Sequence, residues 1–156
     1  MSASVSSRPG AAVRATLAGV CDRYAKAVST YSVAKIGKFW AFPALISVNG
    51  AQIAFKSQEA FDANTENLFA FYKEQGVVSA SRRLANAMII AKDMASIVVD
   101  DVVYAADLEP IASWRASYVL RRTRGNTWKI IFASADGEAA AWKAMGATLG
   151  QTTKRR

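Results

Sequence analysis

The sequence predicts an α+β protein in which a strongly curved antiparallel sheet wraps around N-terminal helices. Three observations carry that prediction. Apolar residues near the start recur at a helical period, Asn49 and Gly50 sit between two apolar runs as a hairpin turn, and from residue 77 onward four long segments with strand character are separated by short polar turns. Hairpins between successive strands call for antiparallel pairing, whereas parallel strands would need long crossovers. The 156 residues are 52% hydrophobic, with four Trp, five Tyr and seven Phe, enough to build one domain with a core and too apolar for a disordered chain.

The elements follow in order. Pro9 suits a first helical turn. Val13, Leu17, Val20, Tyr24, Val28 and Tyr31 then recur at steps of four, three, four, four and three, one buried stripe of a first helix. Residues 33–42 read as a short second helix ended by Pro43, because the residue before a proline is driven out of helical geometry. Residues 44–48 and 51–55 flank the Asn49 and Gly50 turn. Ser57 caps a third helix, with Glu59 and Asp62 near its positive end. Phe61, Thr65, Leu68 and Tyr72 share one face of that helix, and Gly76 ends it. Residues 77–91 form a strand whose parity slips, which places a bulge near Asn86. Residues 94–104 are apolar on both faces, Ile97, Val99 and Val103 against Val98, Val102 and Tyr104, as expected of a strand covered twice. Strands at 111–122 and 128–134 flank Gly125 and Asn126, and a helical segment closes the series at 136–145. The domain is expected to span 11–146, with flexible termini at 1–10 and 147–156. Helices cover one face of the sheet and a second copy the other, so a homodimer is expected.

Composition excludes several chemistries. With no His and a single Cys21, no imidazole–thiolate zinc site, His-based triad or disulfide framework can be built, and neither a metal nor another cofactor is expected. No apolar run approaches the eighteen or so residues of a membrane span. The first residues lack the basic and apolar regions of a secretory signal, so a cytoplasmic location is the expectation. The net charge is +8, but Lys154, Arg155 and Arg156 supply three of those charges. Neither the Arg82 and Arg83 pair nor the cluster of Arg121, Arg122 and Arg124 is interleaved with aromatics, so specific nucleic-acid binding is not expected.

Three stretches are similar to one known superfamily: Arg23, Tyr24 and Val28 in the first helix; Lys38, Phe39, Trp40 and Phe42 before Pro43; and residues 118–132, where a strand starting at Tyr118 runs through a basic turn into Trp128, Lys129, Ile130, Ile131 and Phe132. With the order of elements, they resemble the nuclear transport factor 2-like superfamily, which includes ketosteroid isomerase, scytalone dehydratase and SnoaL-type cyclases. The resemblance implies a cone-shaped, barrel-like fold around a pocket. Tyr24 matches the isomerase tyrosine. The isomerase base position falls at Ser47, Val48 and Asn49 and its acid position between Tyr118 and Leu120, neither of which holds a carboxylate, although Tyr118 can donate a hydrogen bond. The His of the dehydratase and cyclases has no counterpart here.

The pocket so implied takes Tyr24 as a phenolic donor, Trp40 and Trp114 as lid and wall, and Asn64 as a cap from the third helix, with Tyr118 on the late strand; core filling explains the aromatics equally well. Asp100 and Asp101 are neighbours on a strand and point to opposite faces, so they cannot share a site. Arg115 lies at opposite parity to Trp114 and pairs with one of them or meets solvent. The reading is a small-molecule-binding protein for a small hydrophobic ligand, of unknown substrate and with no evident catalytic residues. The alternatives are an isomerase-, dehydratase- or cyclase-type enzyme acting on a small hydrophobic carbonyl compound, and a protein-interaction or structural module.

Overall fold

The structure is a computed structural model and describes residues 7–152. The expected loose ends at 1–6 and 153–156 lie outside the described residues. Helix α1 (Ala11–Ser29) carries its stripe as read, with Leu17, Val20, Cys21 and Tyr24 buried. Helix α2 (Val33–Lys38) is shorter than expected. Residues 40–42 belong instead to strand β1 (Trp40–Val48), which contains Pro43 after a cis peptide bond. The extended geometry that a proline demands of its predecessor suits a strand, and Trp40 pairs with Ile130. Strand β2 (Ala51–Phe55) returns through Asn49 and Gly50, whose φ angles of 51° and 80° are those of a tight hairpin turn. In helix α3 (Gln58–Glu74) the Ser57 hydroxyl accepts from Ala60 N at 3.3 Å, as a cap should.

Strands β3 (Ser79–Ala91), β4 (Met94–Tyr104), β5 (Pro110–Arg122) and β6 (Trp128–Ser134) form the meander, and helix α4 (Asp136–Ala144) follows. The six strands make one sheet in the order β2-β1-β6-β5-β4-β3. This corrects the expected architecture twice. The sheet is mixed, because β1 lies parallel to β6, and it is open rather than strongly curved into a barrel, since β2 and β3 are both edges. The cause is connectivity. β1 and β6 are separated by α3 and the whole meander, so their contact is not a hairpin and is free to be parallel.

The helices pack on one face of the sheet: α1 against β3, α4 against β5 and α2 against α3. Leu17, Phe71, Leu120, Ile130 and Trp142 are fully buried between the layers. On the opposite face no helix covers Val98, Val102, Val119 and Phe132 among the described residues. Strand β4 alternates strictly, with Ala95, Ile97, Val99, Asp101 and Val103 buried and the residues between them half-buried. No helix is long and apolar enough to cross a membrane among the described residues.

Candidate functional site

Strand alternation and register bring four polar or aromatic side chains into one block on the helix-covered face. Asp101 on β4 stands opposite Arg82 on β3 and Trp114 on β5, and Tyr118 lies further along the same face of β5. Arg82 grips Asp101 with two parallel bonds, Nε to Oδ1 at 2.8 Å and Nη2 to Oδ2 at 2.9 Å. Trp114 Nε1 donates to Asp101 Oδ2 at 3.1 Å, and Arg82 Nη2 donates to the Tyr118 hydroxyl at 2.6 Å. The guanidinium also lies against two ring faces, 4.4 Å from the centroid of Tyr24 and 4.6 Å from that of Tyr118. Burial works against its charge, but Asp101 more than offsets this and holds Arg82 protonated well beyond its ordinary range.

Asp100 and Arg115 occupy the other face, where Asp100 takes Arg115 Nε at 2.8 Å and also pairs with Arg83. The parity argument for the two aspartates therefore describes the structure, and Arg115 stands apart from Trp114.

Helix α4 brings in a second carboxylate. Its start is fixed by Asp136 Oδ1, which accepts from Asn49 N at 2.6 Å, and by Ala135 N, which donates to Ser47 O at 2.8 Å. Gly137 lies so close to β5 that a Cβ there would stand 2.3 Å from Arg115 O. This close approach sets Glu138 beside α3, where its Oε2 accepts from the Tyr72 hydroxyl and, at 3.2 Å, from Trp142 Nε1. Oε1 has no partner among the described residues. Burial pushes the Glu138 carboxyl up from 4.5 to about 7, although both hydrogen bonds and Arg82 pull the other way. Burial likewise raises the phenols of Tyr24, Tyr72 and Tyr118, keeping them protonated as donors.

These groups line a cavity of about 900 Å³ between sheet and helices. Tyr24, Trp40, Asn64, Trp114 and Tyr118, the five residues singled out from the sequence, all border it. Trp40 Nε1 donates to the Tyr24 hydroxyl at 3.1 Å, and Asn64 is exposed at the rim. Residues 147–151, placed by the sequence in the terminal tail, also line the cavity, and Asn67 Nδ2 donates to Gly150 O at 2.8 Å. Sequence reasoning missed Arg82, Asp101, Tyr72 and Glu138 as a group. Cys21 is buried and its thiol is pushed up to about 11 by burial, so it is no ready nucleophile. No group of three or more His, Cys, Asp or Glu side chains able to hold a metal occurs among the described residues.

A mixed sheet with helices on one face, enclosing a cavity with a polar wall, defines the class as an α+β fold of the NTF2-like, cystatin-like kind. The chain belongs to the NTF2-like protein family DUF6841, whose profile matches residues 17–138. It is similar in structure to a domain of unknown function with a cystatin-like fold from Nostoc punctiforme, with a TM-score of 0.64 at 12% identity over 81% of this chain and 77% of the other. It is also similar to an NTF2-like protein from Novosphingobium aromaticivorans, with a TM-score of 0.56 at 19% identity over 85% and 88% of the two chains. A ketosteroid isomerase-like protein from Erwinia carotovora atroseptica matches with a TM-score of 0.56 at 11% identity over 76% and 89%. No curated protein matches the chain.

Proposed function

We propose that this protein binds a small, mostly apolar molecule in the cavity between sheet and helices, with Tyr24, Trp40, Asn64, Trp114 and Tyr118 among the residues that touch it. The observation that carries this reading is the cavity itself. At about 900 Å³ it falls within the usual size of small-molecule sites, and it combines aromatic lining with a few convergent polar groups. A structural module filled by its own side chains would have Trp40 and Trp114 closing that space, whereas both border it. The test is native mass spectrometry of the purified chain for a copurifying molecule, together with a thermal-shift screen of apolar compounds of one to three rings. A screen with no hit, together with no retained mass, would count against the reading.

A second reading, an enzyme that moves a proton on a carbonyl compound, is favoured by one observation: a cavity-lining carboxyl, Glu138, has its pKa drawn close to neutrality. Exchange of α-hydrogens of 2-tetralone in heavy water, followed by NMR, tests it. Exchange no faster than in buffer would exclude that substrate class.

The proposal extends to a second copy of the chain on the uncovered sheet face, around Val98, Val119 and Phe132, and to a cytoplasmic setting. Sedimentation of the native chain and of Phe132→Arg tests the first, with a monomeric native chain as the refuting result. Cell fractionation tests the second.

A further inference from the structure

We propose that the cavity is built for an apolar molecule carrying one protonated amine, which Glu138 Oε1 receives. This rests on the binding reading above and names the chemistry of the ligand. The polar groups of the cavity differ in what they have left to offer. Both carboxylate oxygens of Asp101 are engaged, Oδ1 by Arg82 and Oδ2 by Arg82 and Trp114. Arg82 and Asp101 therefore cancel as a charge pair. Glu138 differs, because Oε2 takes Tyr72 and Trp142 while Oε1 has no partner among the described residues. Two donors on Oε2 hold the carboxylate in place and leave the lone pairs of Oε1 for a ligand of the cavity that Glu138 lines.

The charged and titratable groups that line the cavity around Glu138 are Tyr24 from α1, Tyr72 from α3, Arg82 from β3, Asp101 from β4, Tyr118 from β5 and Lys143 from α4 itself. Arg82 is committed to Asp101, and Lys143 is exposed. An ionised Glu138 thus has no cation in contact with it among the described residues, inside a protein whose net charge is +8. Glu138 is half-buried and lines the cavity, and a ligand ammonium supplies its carboxylate with a counter-charge and a hydrogen bond together. Tyr72 and Trp114 line the same space. An anionic ligand would meet the Glu138 carboxylate, and a neutral one would leave that carboxylate without a counter-charge.

The linkage has a definite sign. A proton on Glu138 competes with the ammonium, so amine binding strengthens as the pH rises through about 7 and releases a proton when it occurs below that value. An opposite charge at hydrogen-bond distance moves a carboxyl pKa by roughly one to three units, so the preference for an amine over its neutral isostere is about tenfold to a thousandfold once Glu138 is ionised.

The experiment uses the full chain and four probes that share a bicyclic body: 2-aminotetralin, 2-tetralol, 2-tetralone and tetralin-2-carboxylic acid. Affinities are measured by isothermal titration calorimetry at pH 6 and pH 8, in buffers of different ionisation enthalpy. The expected result is that 2-aminotetralin binds at least about tenfold more tightly than 2-tetralol at pH 8, more weakly at pH 6, and there with proton release. Glu138→Gln should erase the amine preference, bringing the affinities for 2-aminotetralin and 2-tetralol to within about threefold of each other, since the change removes the charge. The proton-release measurement on the native chain needs no variant. Amine and alcohol binding equally, tighter binding of the ketone or acid, or an amine preference that survives Glu138→Gln each overturn the inference while leaving the cavity reading in place. Binding by none of the four overturns both.

Discussion

Replacing Glu138 by Gln keeps the shape of the side chain and an oxygen for Tyr72 and Trp142 to bond, so what it removes is the titration. In the folded chain burial holds this carboxyl at about 7, against an ordinary 4.5. Between those values the folded protein keeps a proton that the unfolded chain has already released. The stabilisation attached to that proton is complete below about pH 4.5, is lost progressively as the pH rises to about 7, and is gone above it. At about 1.4 kcal/mol per pH unit, the interval amounts to about 3 kcal/mol. All other titrating groups are shared by the two proteins and cancel in the difference. Glu138→Gln should therefore gain about 3 kcal/mol on the native chain between pH 4.5 and pH 7.5, or about 6–12 °C in Tm for a chain of this length. Urea unfolding of both proteins at four pH values across that range measures it, provided the m-values agree. Stability curves that run parallel from acid to neutral would mean that Glu138 faces water like any surface carboxylate, and the electrostatic account of the cavity would fail with them.

Three further outcomes follow from the same geometry. Arg82→Met strands a buried carboxylate, since Asp101 is only 6% exposed, and should cost about 3–5 kcal/mol in urea unfolding; adding Asp101→Leu should recover most of that loss, because the pair offsets its own desolvation and little more. Gly137→Ala places a methyl 2.3 Å from Arg115 O and must push α4 off β5, a loss of about 1–3 kcal/mol seen as a lowered Tm. Asn67→Ala removes the exposed bond to Gly150 O; stability should change by less than about 1 kcal/mol, while limited proteolysis within 147–152 becomes faster.

What the sequence revealed and what it hid divide along the distance over which each feature is decided. The α1 stripe, the turn at Asn49 and Gly50, the cap at Ser57 and the strand limits at 94–104 and 128–134 are set by neighbours a few residues apart, and the structure has them as read. Tyr24, Trp114 and Tyr118 were legible for the same reason, since helical period and strand parity alone turn them inward. The partners of Arg82 were not. A straight hairpin closing at Ala91 and Met94 would set Leu84 opposite Asp101, but two register shifts, at Leu84/Asn86 and at Ile89/Ala91, slide Arg82 into that place. The first shift was foreseen near Asn86. A single shift reverses the parity of everything beyond it, and only the second restores it, so Arg82 and Arg83 looked like one surface cluster when one faces the cavity and the other Asp100.

The parallel contact of β1 with β6 and the seat of Glu138 belong to a different scale. Neither is encoded in any local pattern. α4 is nine residues long, and its register on the sheet is fixed by three distant points: the Asn49 amide, the Ser47 carbonyl and the bare backbone of Gly137 against Arg115. Ser47 and Asn49 lie at the end of β1, so the parallel pairing of β1 with β6 is also what sets the carboxyl of Glu138 beside Tyr72. The missed topology and the missed site residue are therefore one omission. A chain in which β1 failed to reach β6 would lose the α4 anchor and the cavity's free carboxylate oxygen together, which makes the mixed sheet a condition for the site rather than a detail of the scaffold.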